Sequence, residues 1–174
     1  MKVIDNFFEV NQFDRLKQLV KQYPTNKVPK DYNGKRSMYK DRNYIVSDNE
    51  LTNILLEKFP YREGLKRSIE VANDVDGFWL SPHSDHPAKK DVTVIYIEGH
   101  IENGTTFDGP IWEETIDFIP NRAINFNPDE KDTWDMSSHK HSVKLKPILG
   151  IRRTIVVMYV DETWNSVENC YDTE

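Results

Sequence analysis

The chain has 174 residues, and 8 Phe, 8 Tyr and 4 Trp give it more aromatic content than a disordered chain carries. A formal net charge of -6 argues against a nucleic-acid coat, so we expect no nucleic-acid partner. The only cysteine, Cys170, excludes an internal disulfide and any zinc site built from several cysteines. The longest apolar run, 155–160, is too short to cross a membrane, and residues 1–10 lack the basic start and unbroken apolar stretch expected of a signal peptide. We therefore predict one cytoplasmic domain, 1–174, that contacts no membrane.

Two helices are predicted in the first third of the chain. The first has apolar residues at helical spacing and ends at Pro24. The second begins near Asp48, because Ser47 and Glu50 form a capping box. A third, weaker helical pattern covers 61–72. The buried face of the first two helices is predicted to consist of Phe13, Leu16, Leu19, Val20, Leu51, Ile54 and Leu55.

Short apolar runs rich in β-branched and aromatic residues follow, separated by Gly, Pro and Asn. This pattern predicts a mainly β fold with N-terminal helices, in which the helices pack on one face of a sandwich or barrel. The helical support is expected over 5–72 and the β core over about 73–165. The predicted strands are 77–80, 92–97, 115–119, 123–126, 142–145 and 153–160.

The segment 27–42 fits neither pattern, because six Lys and Arg residues alternate there with Tyr32 and Tyr39. It is either a solvent-exposed loop or a lid over a site that takes an anionic substrate.

A metal site is suggested by His83 and Asp85, whose side chains lie on the same side of an extended chain. A later strand carries His141, and two His with one carboxylate form the facial triad of non-haem iron oxygenases. His139 is a competing ligand, two residues earlier on the same strand face.

The last long strand carries a cation that such a site needs. Arg152 and Thr154 share one face of this strand, whereas Arg153 points the opposite way and is expected at the surface. A guanidinium matches the far carboxylate of a 2-oxo acid, because its forked donors fit a carboxylate and it stays charged.

The order of these motifs resembles the Fe(II)/2-oxoglutarate-dependent oxygenases, most of all the small prolyl-4-hydroxylase-like branch of bacteria and phages. The resemblance rests on His83-x-Asp85, the strand 92–97, Asn103-Gly104-Thr105-Thr106-Phe107, the segment 120–126, His141-x-Val143 and Arg152-x-Thr154. Two departures stand out. Arg152 follows His141 by eleven positions, whereas nine or ten are usual in this branch. We favour His141 over His139 because His141-x-Val143 fits the motif and the spacing from His139 to Arg152 would be worse. Tyr96 lies where some relatives use a tyrosine, but we leave it unassigned because its side chain alternates with those of Ile95 and Ile97.

The resemblance implies a double-stranded β-helix, also called a jelly roll or cupin-like fold, with the helices on its larger sheet. It implies Fe(II) held by His83, Asp85 and His141. It also implies 2-oxoglutarate bound through Arg152 and Thr154, with O₂ as the oxidant. The implied reaction hydroxylates a small molecule or a side chain while 2-oxoglutarate becomes succinate and CO₂.

Two other functions stay open: a cupin-like metal-binding protein or isomerase that does not use 2-oxoglutarate, and a non-catalytic jelly roll that acts in assembly. Arg152 favours the oxygenase over the first, and the complete triad favours it over the second. His86 and His100 are expected at the surface or behind the ligands. Trp79 and Trp134 are expected in the core or the pocket wall. The sequence does not select a substrate, because this fold serves many.

Overall fold

A computed structural model describes residues 1–22, 26–27, 36–39, 49–78, 80–83, 85, 87–108, 113–128, 140–143, 149–164 and 170–171. Within these residues the chain forms two helices, α1 (Val10–Gln22) and α2 (Asn49–Lys58), and strands arranged in two antiparallel sheets. The strands are β1 (Lys2–Ile4), β2 (Asn26–Lys27), β3 (Arg36–Tyr39), β4 (Lys66–Val75), β5 (Leu80–His83), β6 (Lys89–Gly99), β7 (Thr105–Asp108), β8 (Glu113–Ile116), β9 (Ala123–Phe126), β10 (Lys140–Val143), β11 (Ile151–Val160) and β12 (Cys170–Tyr171). No helix among the described residues has both the length and the apolar character needed to cross a bilayer.

The two sheets differ in size. The larger has the order β1-β9-β6-β11-β4-β3-β2, with β12 paired to β4, and the smaller has the order β5-β10-β7-β8. The central strand β11 pairs along its length with β6 on one side and β4 on the other. The chain crosses repeatedly between the sheets from β4 to β11, so the structure is a β-sandwich.

The helices pack on the outer face of the larger sheet, as predicted. The core beneath them contains the predicted helical residues, with Ile54 partly buried, together with outward-facing sheet residues such as Ile69, Ile95 and Val157. A second core lies between the sheets and includes Val94 and Tyr96 from β6 and Phe107 and Phe126 from β7 and β9. Because side chains alternate along β6, one strand contributes to both cores.

The predicted third helix over 61–72 is wrong, because residues from Lys66 onwards form β4. Ile69 and Val71 lie on the helix side of the sheet, and Glu70 between them alternates to the other face. β4 is held between β11 and β3, and these ladders outweigh the weak helical spacing. The β core therefore begins before residue 73, its predicted start, because β4 starts at Lys66.

Segment 27–42 is only partly described. Residues 36–39 form β3 and pair with β4, so a loop is the wrong prediction for this part. Residues 28–35 and 40–42, and with them the proposed lid, lie outside the described residues, as does the capping residue Ser47. The strands predicted at 92–97, 123–126 and 153–160 are confirmed, whereas β5, β8 and β10 are displaced by two or three residues from their predicted positions.

Candidate functional site

Strand pairing in the smaller sheet places the two predicted histidine ligands beside each other. His141 of β10 is the register partner of His83 of β5. The side chain of His83 lies outside the described part of the chain, so this juxtaposition concerns the backbone. Asp85 follows two residues after the end of β5.

Asp85 and His141 converge in space. Oδ2 of Asp85 lies 3.6 Å from Nε2 of His141, and the two side chains are 6% and 14% exposed. Oδ1 of Asp85 accepts a hydrogen bond from Nζ of Lys89. Oδ2 has no hydrogen-bond partner among the described residues, although it is buried. Two atoms bound to one ion at about 2.1 Å lie roughly 3 to 3.5 Å apart. The 3.6 Å between Oδ2 and Nε2 is slightly longer, so the pair approaches the spacing of two ligands of one ion.

Two aromatic rings flank the imidazole of His141. The ring centroid of Phe126 lies 5.1 Å from that of His141, and the centroid of Phe107 lies 6.1 Å away. The two phenylalanines pack edge to face with each other. This apolar wall restricts the imidazole while Nε2 remains directed at Asp85.

No cluster of three or more metal-ligating side chains occurs among the described residues. Of the predicted ligands, the described side chains are those of Asp85 and His141, and these two are brought together. His100 is exposed, as predicted, and its Nδ1 accepts a hydrogen bond from the backbone amide of Glu102. The predictions for His86, His139, Trp79 and Trp134 fall outside the described residues.

Arg152 faces the space between the sheets and is buried. Its Nε donates to the carbonyl oxygen of Asn103 at 2.9 Å, and Nη1 donates to Oδ2 of Asp74 at 3.0 Å. Nη2 makes a longer contact, 3.5 Å, with Oγ1 of Thr105. The sequence did not indicate Asp74 as a partner. Because Asp74 compensates the guanidinium charge, the burial of Arg152 does not by itself require a bound co-substrate.

The neighbours of Arg152 on β11 follow the predicted alternation. Thr154 is buried and is the register partner of Tyr96 on β6. Arg153 points to the helix side of the sheet, where Nη1 donates to Oε2 of Glu98. Arg152 and Thr154 therefore share one face, and Arg153 lies on the other.

Tyr96 belongs to the same interior surface, although sequence reasoning left it unassigned. Its hydroxyl donates to Oγ1 of Thr105 at 2.7 Å, and its ring stacks on Phe118 with a centroid distance of 4.3 Å. The guanidinium carbon of Arg152 lies 5.8 Å from the ring centroid. Burial raises the pKa of the Tyr96 phenol, and the Arg152 charge opposes this rise. The phenol is therefore a neutral hydrogen-bond donor at ordinary pH.

The Asn103-Gly104 pair supports this end of the site. The side chain of Asn103 donates to the carbonyl oxygen of Leu149 and accepts from its amide, which fixes the approach to β11. A Cβ at Gly104 would lie 2.0 Å from the carbonyl oxygen of Ile116, so only glycine fits between β7 and β8. The pair thus places Arg152 relative to the smaller sheet.

No protein-family model matches the sequence, and no curated protein matches it either. Among solved structures, a prolyl-4-hydroxylase from Pseudomonas putida is similar, with a TM-score of 0.65 and 12% identity over 92% of both chains. HygX from Streptomyces hygroscopicus, solved with nickel and 2-oxoglutarate bound, has a TM-score of 0.60 and 10% identity over 92% of this chain and 82% of its own.

A viral collagen prolyl hydroxylase from Paramecium Bursaria Chlorella virus-1, solved as its 2OG complex, has a TM-score of 0.54 and 17% identity. That match covers 91% of this chain and 94% of the viral one. The chain therefore has the fold of the 2OG-Fe(II) oxygenases, including those of the prolyl-4-hydroxylase type. The resemblance seen in the sequence is confirmed at the level of the fold.

Proposed function

We propose that the protein is an Fe(II)- and 2-oxoglutarate-dependent oxygenase that hydroxylates a small molecule or a side chain and converts 2-oxoglutarate to succinate and CO₂. The observation that carries this proposal is the pairing of Asp85 Oδ2 with His141 Nε2 inside the sandwich. Asp85 Oδ2 is buried, faces an imidazole nitrogen and accepts no hydrogen bond from the described residues. Such an arrangement is expected of two ligands of one metal ion.

The strand order supports the finer name of the fold. From β4 to β11 the strands are distributed so that β9, β6, β11 and β4 are neighbours in the larger sheet, and β5, β10, β7 and β8 in the smaller. We assign this arrangement to the double-stranded β-helix, with β1, β2, β3 and β12 as additions to the larger sheet.

His83, Asp85 and His141 would hold the iron. The backbone register of His83 with His141 supports the inclusion of His83. When bound, Fe(II) would supply the oxidising chemistry with 2-oxoglutarate and O₂. Asp85 and His141 would orient the metal, and Phe107 and Phe126 would exclude water from the imidazole side.

Arg152 and Thr154 would bind the distal carboxylate of 2-oxoglutarate. Nε and Nη1 of Arg152 already bind Asn103 and Asp74, so Nη2, whose contact to Thr105 is the longest, is the donor best suited to a ligand. The phenol of Tyr96 donates its one proton to Oγ1 of Thr105, so it would have to turn from Thr105 to serve as a second donor to the ligand. Binding through Nη2 would leave the bond from Nη1 to Asp74 in place.

The Asp74–Arg152 pair also favours a second candidate function, a cupin-like metal-binding protein or isomerase without 2-oxoglutarate. If the guanidinium serves only Asp74, the metal pair remains but no co-substrate is needed. The two functions differ in one property: only the oxygenase binds and consumes 2-oxoglutarate.

The substrate is not selected by the fold, because the similar solved structures include prolyl hydroxylases as well as HygX, which has also been solved with hygromycin B bound. We propose a small-molecule or side-chain substrate and a cytoplasmic location, the latter because the chain has a single cysteine.

The test is release of succinate from 2-oxoglutarate by the purified protein with Fe(II) and O₂, screened against amino acids, peptides, sugars and nucleosides. We expect a substrate whose presence stimulates succinate release. The activity should be lost in Asp85→Ala and His141→Ala and kept in the surface control His100→Ala. A protein that binds Fe(II) but consumes no 2-oxoglutarate with any compound would support the cupin-like alternative instead.

A further inference from the structure

The two carboxylate oxygens of Asp85 have different partners. Oδ1 is bound by the ammonium group of Lys89, and Oδ2 faces His141. We propose that Lys89 is a positioning residue that occupies Oδ1, so that Asp85 presents one oxygen to the metal. This inference rests on the proposed function, because it assigns a role at the same metal site.

The Lys89–Asp85 contact is sheltered from solvent. The side chains of Lys89 and Asp85 are 18% and 6% exposed, unlike the exposed ion pairs on the helices. A charge-assisted hydrogen bond in such surroundings is stronger and less mobile than one in water. The contact therefore fixes the carboxylate rather than merely neutralising it.

A turn after β11 holds Lys89 in place. The amide of Asp161 donates to the carbonyl oxygen of Ala88, the residue before Lys89, and the amide of Trp164 donates to the carbonyl oxygen of Asp161. The ring centroid of Trp164 lies 5.7 Å from Nζ of Lys89. Lys89 is thus enclosed between an aromatic face and the carboxylate, which favours one position of its ammonium group.

The consequence concerns how Asp85 can bind a metal. A carboxylate with both oxygens free can bind an ion through either or both. With Oδ1 held by Lys89, Asp85 offers only Oδ2, which leaves more of the metal's positions for 2-oxoglutarate and O₂. Groups that orient a metal ligand in this way typically change metal affinity about 10- to 100-fold when they are removed.

The experiment measures binding of Co(II), used as a probe for the metal site, by calorimetry and by the visible absorption of the bound ion. Lys89→Met should weaken Co(II) binding about 10- to 100-fold, because the carboxylate of Asp85 loses the group that orients it. It should also alter the absorption spectrum, because Asp85 would no longer be restricted to one oxygen. Lys89→Arg keeps the charge and should restore part of the affinity.

Lys17 provides a matched control. Its ammonium group lies 2.6 Å from Asp14 Oδ1 and 5.2 Å from the ring centroid of Phe13, so it repeats the Lys–Asp–aromatic arrangement on the exposed face of α1. Lys17→Met should bind Co(II) like the wild type.

The outcomes separate the two proposals. Wild-type affinity and an unchanged spectrum in Lys89→Met would overturn the role of Lys89 and leave the metal site standing. Equal losses in Lys89→Met and Lys89→Arg would also overturn it, because a charged hydrogen-bond donor at this position would then make no difference. A wild-type protein that does not bind Co(II) would contradict the metal site itself, and the role of Lys89 with it.

Discussion

Oδ2 of Asp74 lies 3.0 Å from Nη1 of Arg152, and the two side chains are 0% and 3% exposed. The residues are register partners on β4 and β11, so the ion pair bridges neighbouring strands on the inner face of the larger sheet. Burying both charges is costly, and the pair is stable only while each has its partner. Asp74 therefore affects both the stability of the sandwich and the charge that any co-substrate meets.

Asp74→Ala should lower the free energy of unfolding by about 3 to 5 kcal/mol, because it leaves a guanidinium buried without that carboxylate. Addition of 2-oxoglutarate with Co(II) should raise the melting temperature more in this variant than in the wild type. The distal carboxylate of 2-oxoglutarate would supply the negative charge that Asp74→Ala removes. A ligand stabilises the state that it binds. Thermal unfolding with and without 2-oxoglutarate measures both effects. Asp14→Ala, which removes an exposed pair, is the control. An equal or smaller ligand shift in Asp74→Ala would argue against the carboxylate site.

Tyr96 should remain protonated above pH 10. Burial raises the pKa of its phenol above the usual 10.0, so the stability that it contributes is complete below pH 10 and is lost as pH rises towards the folded-state pKa. In an absorbance titration of the folded protein, Tyr96→Phe should not reduce the phenolate signal just above pH 10. A reduced phenolate signal just above pH 10 in Tyr96→Phe would show that the site is open to solvent.

Gly104→Ala should destabilise the protein more than Gly150→Ala. At Gly104 the new Cβ would meet the Ile116 carbonyl oxygen at 2.0 Å, so the backbone of β7 and β8 must move, at a cost of about 3 kcal/mol or more. Gly150 has a φ of +65° but no atom near its Cβ position, so only the conformational cost of roughly 1 to 2 kcal/mol applies. Urea unfolding compares them, and equal losses would contradict the close approach at Gly104.

Substitutions on the buried face of the helices should lower the stability of the fold without changing metal binding. Leu16→Ala and Leu55→Ala should each cost about 2 to 5 kcal/mol, because both residues are fully buried against the larger sheet. Val10→Ala, at an exposed position of α1, should change stability by less than about 0.5 kcal/mol. Co(II) affinity should stay at the wild-type value in every variant that folds. A loss of affinity in folded Leu16→Ala would place the helix face near the metal.

The sequence predicted the features that depend on local pattern. Helical spacing located α1 and α2, and runs of β-branched residues located β6 and β11. The short motifs His83-x-Asp85 and His141-x-Val143 nominated Asp85 and His141, which the structure brings to 3.6 Å. Each of these signals lies in residues close together in the chain, although Asp85 and His141 themselves are 56 positions apart.

Features that depend on strand register were not predictable. β4 resembles a helix until its pairing with β11 is known, and Asp74 becomes the partner of Arg152 only through that pairing. Tyr96 was set aside because it alternates with Ile95, whereas the structure shows that its face, not that of Ile95, is shared with Arg152. Which residues of β6 share a sheet face with Arg152 depends on the register between β6 and β11. No local sequence pattern specifies that register.

The most direct test of the oxygenase proposal is calorimetric titration of 2-oxoglutarate into the protein with Fe(II), without oxygen. The wild type should bind 2-oxoglutarate only when metal is present. Arg152→Ala should lose roughly 2 to 5 kcal/mol of 2-oxoglutarate binding and keep metal binding, and Arg152→Lys should recover part of the loss. Arg153→Ala should resemble the wild type, because that side chain pairs with Glu98 on the outer face. Circular dichroism checks that each variant folds. If the wild type binds Fe(II) but not 2-oxoglutarate, or if folded Arg152→Ala binds 2-oxoglutarate as tightly as the wild type, the proposed co-substrate site is contradicted.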